Sequence, residues 1–76
     1  TDEGLRVEEV VVPAHLPPTA VGVLVPKSRD YMLMAIHAHG KWQFNPPEEH
    51  LVKGGDALVL MASPGGRMHL EKILKV

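Results

Sequence analysis

The sequence lacks cysteine altogether, and only 4% of its residues are aromatic. Without cysteine there can be no disulfide, no thiolate zinc site and no cysteine nucleophile. One Trp, one Tyr and one Phe are too few for a row of base-stacking platforms. Eight basic and nine acidic residues give a net charge of −1, with no long block of either sign to follow a phosphate backbone. We therefore expect no nucleic-acid partner.

Long apolar runs are missing as well. The longest cover residues 31–36 and 57–62, far short of the roughly 18 residues that a membrane span requires. The amino terminus carries Asp2 and Glu3 and shows no signal-peptide pattern. We expect residues 1–76 to form a single soluble domain that is a fragment of a longer protein. A domain of this size hides only roughly 60% of its unfolded surface, which favours a partner surface.

Short β-branched and apolar runs alternate with Pro and Gly. Residues 5–12 predict a strand that Pro13 ends, and the adjacent Glu8 and Glu9 must point to opposite faces, which favours an edge position. Residues 31–39 predict a strand with both faces buried at its start, and residues 57–62 predict a central strand. Residues 42–45 predict the second arm of a hairpin that turns at Gly40.

Two helical segments complete the prediction. Ser63 and Pro64 are typical of a helix start, and the helix should run to about Leu74 with Glu71 and Lys75 as an i,i+4 pair. Thr19 predicts the cap of one helical turn over residues 20–24. The predicted fold class is α+β: a small, mostly antiparallel sheet of three to four strands with a C-terminal helix and a short helical turn.

The order of these elements and turns resembles the RCK C-terminal domain, also called TrkA-C. The likeness covers nearly the whole chain. The segments Leu-Val-Pro-Lys-Ser-Arg-Asp-Tyr at 24–31 and Phe-Asn-Pro-Pro at 44–47 are most similar to the tail of bacterial voltage-gated-type potassium channel proteins. The residues that carry the family likeness are Val21-Gly22, Ala35-Ile36, Gly40, Asn45-Pro46, Leu51 and Gly55-Asp56.

The sequence departs from the family pattern in two places. Only eight residues separate Gly22 from Tyr31, which is too few for the family's usual first helix. Ala38 stands where many members carry a basic residue. We therefore expect a shortened first helix and an altered ligand pocket.

The resemblance implies a regulatory domain rather than an enzyme. In that family the domain follows a Rossmann-type nucleotide-binding domain in the cytosolic part of potassium channels and of Trk or Ktr transporters. It implies a homodimer that senses an effector, a nucleotide or an ion, on the cytoplasmic side of the bacterial inner membrane, with no cofactor held in this segment. We expect the ligand at the dimer cleft, near residues 17–29 and the hairpin at 37–45. The candidate ligand-binding residues are Arg29, His37, His39 and Asn45.

Two other interpretations remain open from the residues alone. His37 and His39 lie two apart on a predicted strand, so they should share a face, and His50 could join them to hold a metal. The domain could also be a purely structural dimerisation module with no ligand, because not every RCK C-terminal domain has a known effector. Trp42 and Phe44 should share one face, in the core or at a subunit interface. The sequence contains neither a Ser/His/Asp order nor a Gly-rich phosphate loop, which are motifs that would indicate an enzyme.

Overall fold

The computed structural model describes residues 4–74, which form two antiparallel sheets and two helices. The larger sheet has four strands in the order β1-β6-β3-β4, and the smaller one pairs β2 with β5. The predicted α+β class is therefore confirmed. The elements, in chain order, are β1 (Arg6–Val11), β2 (Thr19–Ala20), α1 (Val21–Leu24), β3 (Tyr31–Ala38), β4 (Lys41–Phe44), β5 (Leu51–Val52), β6 (Ala57–Ala62) and α2 (Pro64–Leu74).

The core lies between one face of the four-stranded sheet and the two helices. The central strand β6 contributes Leu58 and Leu60, which are fully buried. Helix α2 lays Leu70 and Leu74 into the same cluster, and α1 adds Val21. The apolar run at 57–62 was predicted to be central, and β6 does lie between β1 and β3.

A bulge at Met34 decides which side chains of β3 face the core. Leu33 pairs with Leu60 and Ala35 pairs with Val59, so Met34 is an extra residue in the strand. The extra residue reverses the alternation, which places Leu33 before it and Ile36 after it on the same, helix-covered face. The prediction that both faces are buried at the strand start is wrong, because Met32 points away from the helices and is 58% exposed.

Strand β1 lies at the edge of the sheet, as the two adjacent glutamates predicted. Glu8 points to the helix-covered side, where the guanidinium of Arg67 on α2 binds its carboxylate. Arg67 also binds Glu71 one turn further along the helix, with Nε and Oε2 2.8 Å apart. The inward acidic residue is thus satisfied by a cation from the helix that covers it. The predicted partner of Glu71, Lys75, lies outside the described residues.

Helix α2 begins as its sequence predicts. The hydroxyl of Ser63 accepts a hydrogen bond from the Gly66 N–H at 3.1 Å, and Pro64 occupies the first helical position. Thr19, in contrast, does not cap α1. It belongs to β2, its hydroxyl donates to the Pro17 carbonyl, and Ala20 precedes the helix without a side-chain cap.

Candidate functional site

A groove of about 650 Å³ lies beside α1. That volume falls within the range of small-molecule sites, roughly 300–1,000 Å³. One wall is formed by α1 and the connection to β3, and the other by the start of β3 and the segment after β4. We call this cavity the α1 groove; its walls include Val21, Gly22, Val25, Lys27, Ser28 and Asn45.

Gly22 brings the first wall close to the segment after β4. Its N–H donates to the Glu48 carbonyl at 2.8 Å, and the Val21 N–H donates to the His50 carbonyl at 2.7 Å. A Cβ at Gly22 would lie only 2.8 Å from the Cβ of Glu48, closer than real Cβ atoms approach. A glycine is therefore required here for the two walls to meet, which gives the Val21-Gly22 pair a mechanical role.

Tyr31 holds the connection between α1 and β3 in place by a side-chain hydrogen bond. Its hydroxyl donates to the Pro26 carbonyl at 2.8 Å, and the Ser28 hydroxyl accepts the Asp30 N–H at 3.0 Å. Burial raises the pKa of the Tyr31 hydroxyl above its usual value, and the negative charge of Asp30 raises it further, while the Ser28 hydroxyl has an opposing effect. The neutral phenol is thus the form that holds this wall.

The floor and rim of the groove differ in chemistry. Val21, Val25 and Tyr31 are buried and give an apolar floor. Lys27 brings a positive charge to the rim, and Asn45 adds an amide that can donate and accept. Glu48 also lines the groove, so the rim combines a cation, an amide and a carboxylate, and with the apolar floor it can hold a small molecule that has an apolar part and polar groups.

The four candidate ligand-binding residues lie in different places. Asn45 lines the α1 groove at a left-handed φ of 48°, with its N–H donating to the Met34 carbonyl at 2.9 Å. Arg29 is exposed in the connection that forms one wall. His37 lies on the sheet, where its ring stacks on Trp42 with centroids 4.2 Å apart. His39 occupies the hairpin turn and lines a second depression.

The structure does not assemble the alternative metal site from His37, His39 and His50. Strand β3 ends at Ala38, and His39 adopts a φ of 53° in the turn, so the expectation that the first two share a strand face is wrong. His39 and His50 line the second depression, of about 370 Å³, whereas His37 faces Trp42. Within residues 4–74 no group of three or more His, Asp or Glu side chains is placed to hold a metal ion.

Sequence reasoning missed Lys27, Ser28 and Glu48 as groove residues. Lys27 and Ser28 lie within residues 17–29, which were expected beside the cleft, but neither was named as a candidate ligand-binding residue. Glu48 carried no signal, because its place in the groove depends on a tertiary contact, in which its carbonyl accepts the Gly22 N–H.

Comparison with known proteins gave no assignment: no family model and no curated protein matches this chain. Neither α1 nor α2, the helices of the described residues 4–74, has the length and apolar character needed to cross a membrane.

Proposed function

We propose that this chain is a ligand-sensing and dimerisation domain that regulates a bacterial potassium channel. In this role it follows a Rossmann-type domain and pore helices in the parent chain, on the cytoplasmic side of the inner membrane. Its task is to control the gating of potassium transport and not to catalyse a reaction. The likeness to RCK C-terminal domains suggests this role, and the α1 groove is the observation that carries it.

The groove supports the proposal because separate parts of the family-like pattern meet there. Val21-Gly22, the 25–28 segment and Asn45-Pro46 are far apart in the sequence, yet all line the same cavity. Residues that only form local turns would not be expected to line one common cavity. The four-residue α1 also agrees with the short first helix that the spacing of Gly22 and Tyr31 implies.

The two walls of the groove explain how an effector could act. One wall belongs to α1 and its connection, and the other to the end of the β3–β4 hairpin, so a ligand that touches both favours one arrangement of these elements. Binding shifts an equilibrium only as far as the ligand's affinity differs between the two arrangements. A rim lysine that contacts the effector in one arrangement supplies such a difference.

The proposal is tested on the parent protein. Its gene should encode a Rossmann glycine fingerprint and pore helices before Thr1, and a gene that encodes neither contradicts the proposal. In reconstituted vesicles, Lys27→Ala should change the effector dependence of potassium flux. Lys72→Ala removes an equally exposed lysine from α2, away from the groove, and should leave the flux unchanged. The same effector dependence of potassium flux in both variants and in the parent protein would also contradict the proposal.

A further inference from the structure

The sheet face opposite the helices is apolar and uncovered. We call it the open face. Cross-strand pairs place Val7 beside Met61 and Met32, and Val11 in one row with Ala57, His37 and Trp42. Its large side chains are 52–70% exposed: Val7, Val11, Met32, Trp42 and Phe44. Five such side chains on one sheet face are more than scattered single exposures, and an exposed apolar patch of this kind marks an interaction surface.

The two edges of the open face are chemically different. Strand β1 at one edge presents the aliphatic Val7 and Val11. Strand β4 at the other edge presents Trp42 and Phe44, whose rings stack in nearly parallel planes with centroids 5.9 Å apart. His37 continues this stack on the neighbouring strand. A flat aromatic row at one side and branched aliphatic side chains at the other are surfaces that pack well on each other.

The charge on the open face argues against a membrane as the occupant. Among its described residues Glu9 is the one with a carboxylate, and neither Lys nor Arg points from the strands to this side. A surface that lies on anionic lipid has lysine and arginine around its apolar side. Glu9 stands instead beside Val11 on the aliphatic edge, where a hydrogen-bond donor of a protein partner can reach it.

We infer that the open face binds a second copy of this chain, sheet against sheet. A two-fold axis parallel to the strands carries β1 onto β4 of the second copy, so the aliphatic edge of each copy covers the aromatic edge of the other. Val11 then lies over Trp42 of the second copy, and Glu9 lies over Phe44 of that copy, since Glu9 shares its row of the sheet with Phe44 as Val11 does with Trp42. The face is thus complementary to itself, as a symmetric dimer requires, and both aromatic rows are covered at once.

The size of the face agrees with this occupant. A standard interface buries about 800 Å² on each partner, which is about a sixth of the 5084 Å² surface of this chain. The five exposed apolar side chains lie on β1, β3 and β4, so they spread across the whole width of the four-stranded sheet. The inference rests on the proposed function only for the expectation of a dimer; the surface itself follows from the strand register and the exposure.

The test uses sedimentation equilibrium of this chain and of two matched variants. Val11→Glu places a carboxylate where the aliphatic edge covers the aromatic edge of the second copy, and Val23→Glu places one on α1, where the valine is also exposed. The unchanged chain should reach the dimer mass with rising concentration. Val11→Glu should weaken dimerisation at least about tenfold, and Val23→Glu should leave it unchanged. Phe44→Glu is a second open-face variant, and far-ultraviolet circular dichroism checks the fold of each.

Trp42 gives an independent readout because it is the one tryptophan of the chain. Its emission should shift to shorter wavelength as the dimer forms and the indole leaves water. A chain that stays monomeric at millimolar concentration overturns the inference, as does a dimer that Val11→Glu and Phe44→Glu leave intact. Val11 does not line the α1 groove, so a monomer that still binds an effector removes this inference and the dimerisation role, and leaves the sensing role standing. A dimer without any effector response removes the sensing role and keeps the dimer.

Discussion

Gly65 and Gly66 are neighbours in the first turn of α2, yet their surroundings differ completely. A Cβ at Gly65 would meet nothing within 4 Å, whereas a Cβ at Gly66 would overlap the carbonyl oxygen of Asp30. The helix start therefore lies directly against the end of the connection from the α1 groove. The same carbonyl accepts the Ser63 N–H at 3.3 Å, which fixes the approach. The sequence pattern Gly-Gly cannot distinguish the two positions, because only the tertiary contact does.

Gly66→Ala should lower the melting temperature, because either the helix or the connection must move to admit the methyl group. Overpacking of this kind costs about 1–3 kcal/mol, and each kcal/mol corresponds to roughly 4–8 °C in a domain of this size. Gly65→Ala is the control and should raise the melting temperature, since Ala is favoured over Gly in helices by up to about 1 kcal/mol. Differential scanning calorimetry measures both. Equal effects of the two substitutions would contradict the close contact at Gly66.

Tyr31 makes the free energy of unfolding of the domain depend on pH in the alkaline range. Burial and the charge of Asp30 raise the pKa of its hydroxyl above the ordinary value of about 10. The folded chain therefore keeps this proton when the unfolded chain has already released it, and the free energy of unfolding falls as the pH rises above about 10. The contribution is complete below that pH and is lost as the pH passes through the folded pKa.

The chain has a single tyrosine, so tyrosinate absorbance follows Tyr31 alone. Its midpoint should lie at higher pH in the folded chain than in concentrated urea. Tyr31→Phe should remove the corresponding part of the alkaline loss of stability. A folded midpoint at or below that of the unfolded chain would show that the phenol is not held as the structure indicates.

Among the elements, those with a strong local pattern were predictable. The Gly55-Asp56 pair forms the turn before β6, with Gly55 at a φ of 94° and the Asp56 carboxylate accepting the Lys53 N–H at 3.0 Å, a local pattern that the residue types indicate. The β2–β5 pair was missed, because a strand of two residues has no periodicity to detect. The bulge at Met34 was also missed. If strict alternation is assumed across the bulge, half of the β3 side chains are assigned to the wrong face of the sheet.

The start of α2 depends on Ser63. Ser63→Ala removes the acceptor for the Gly66 N–H and should destabilise the domain by about 1 kcal/mol. Ser63→Asp keeps a side-chain acceptor and should retain most of the stability. Urea unfolding followed by circular dichroism measures both changes. An alanine variant as stable as the original chain would mean that the cap does not hold the helix.

At the scale of the whole molecule, the candidate site could be predicted only in part. The likeness indicated a ligand at a dimer cleft near residues 17–29 and 37–45, and the structure places residues of both segments, Asn45 among them, in a groove of the single chain. The likeness could not indicate that His37 stacks on Trp42, or that His39 lines the second depression together with His50. Those positions depend on where the strand ends and on the left-handed backbone at His39, which residue spacing does not reveal.

The central claim is that the α1 groove binds an effector, and a melting screen tests it most directly. The panel is potassium, sodium, divalent metals, NAD(H), ATP, ADP and cyclic dinucleotides. A ligand at 100 times its dissociation constant stabilises the folded chain by about 2.7 kcal/mol, which is a shift of roughly 10–20 °C here. We expect one class of nucleotide or ion to give such a shift, Lys27→Ala to reduce it, and Lys72→Ala to keep it. No shift with any member of the panel, or a shift that Lys27→Ala leaves intact, would contradict the account.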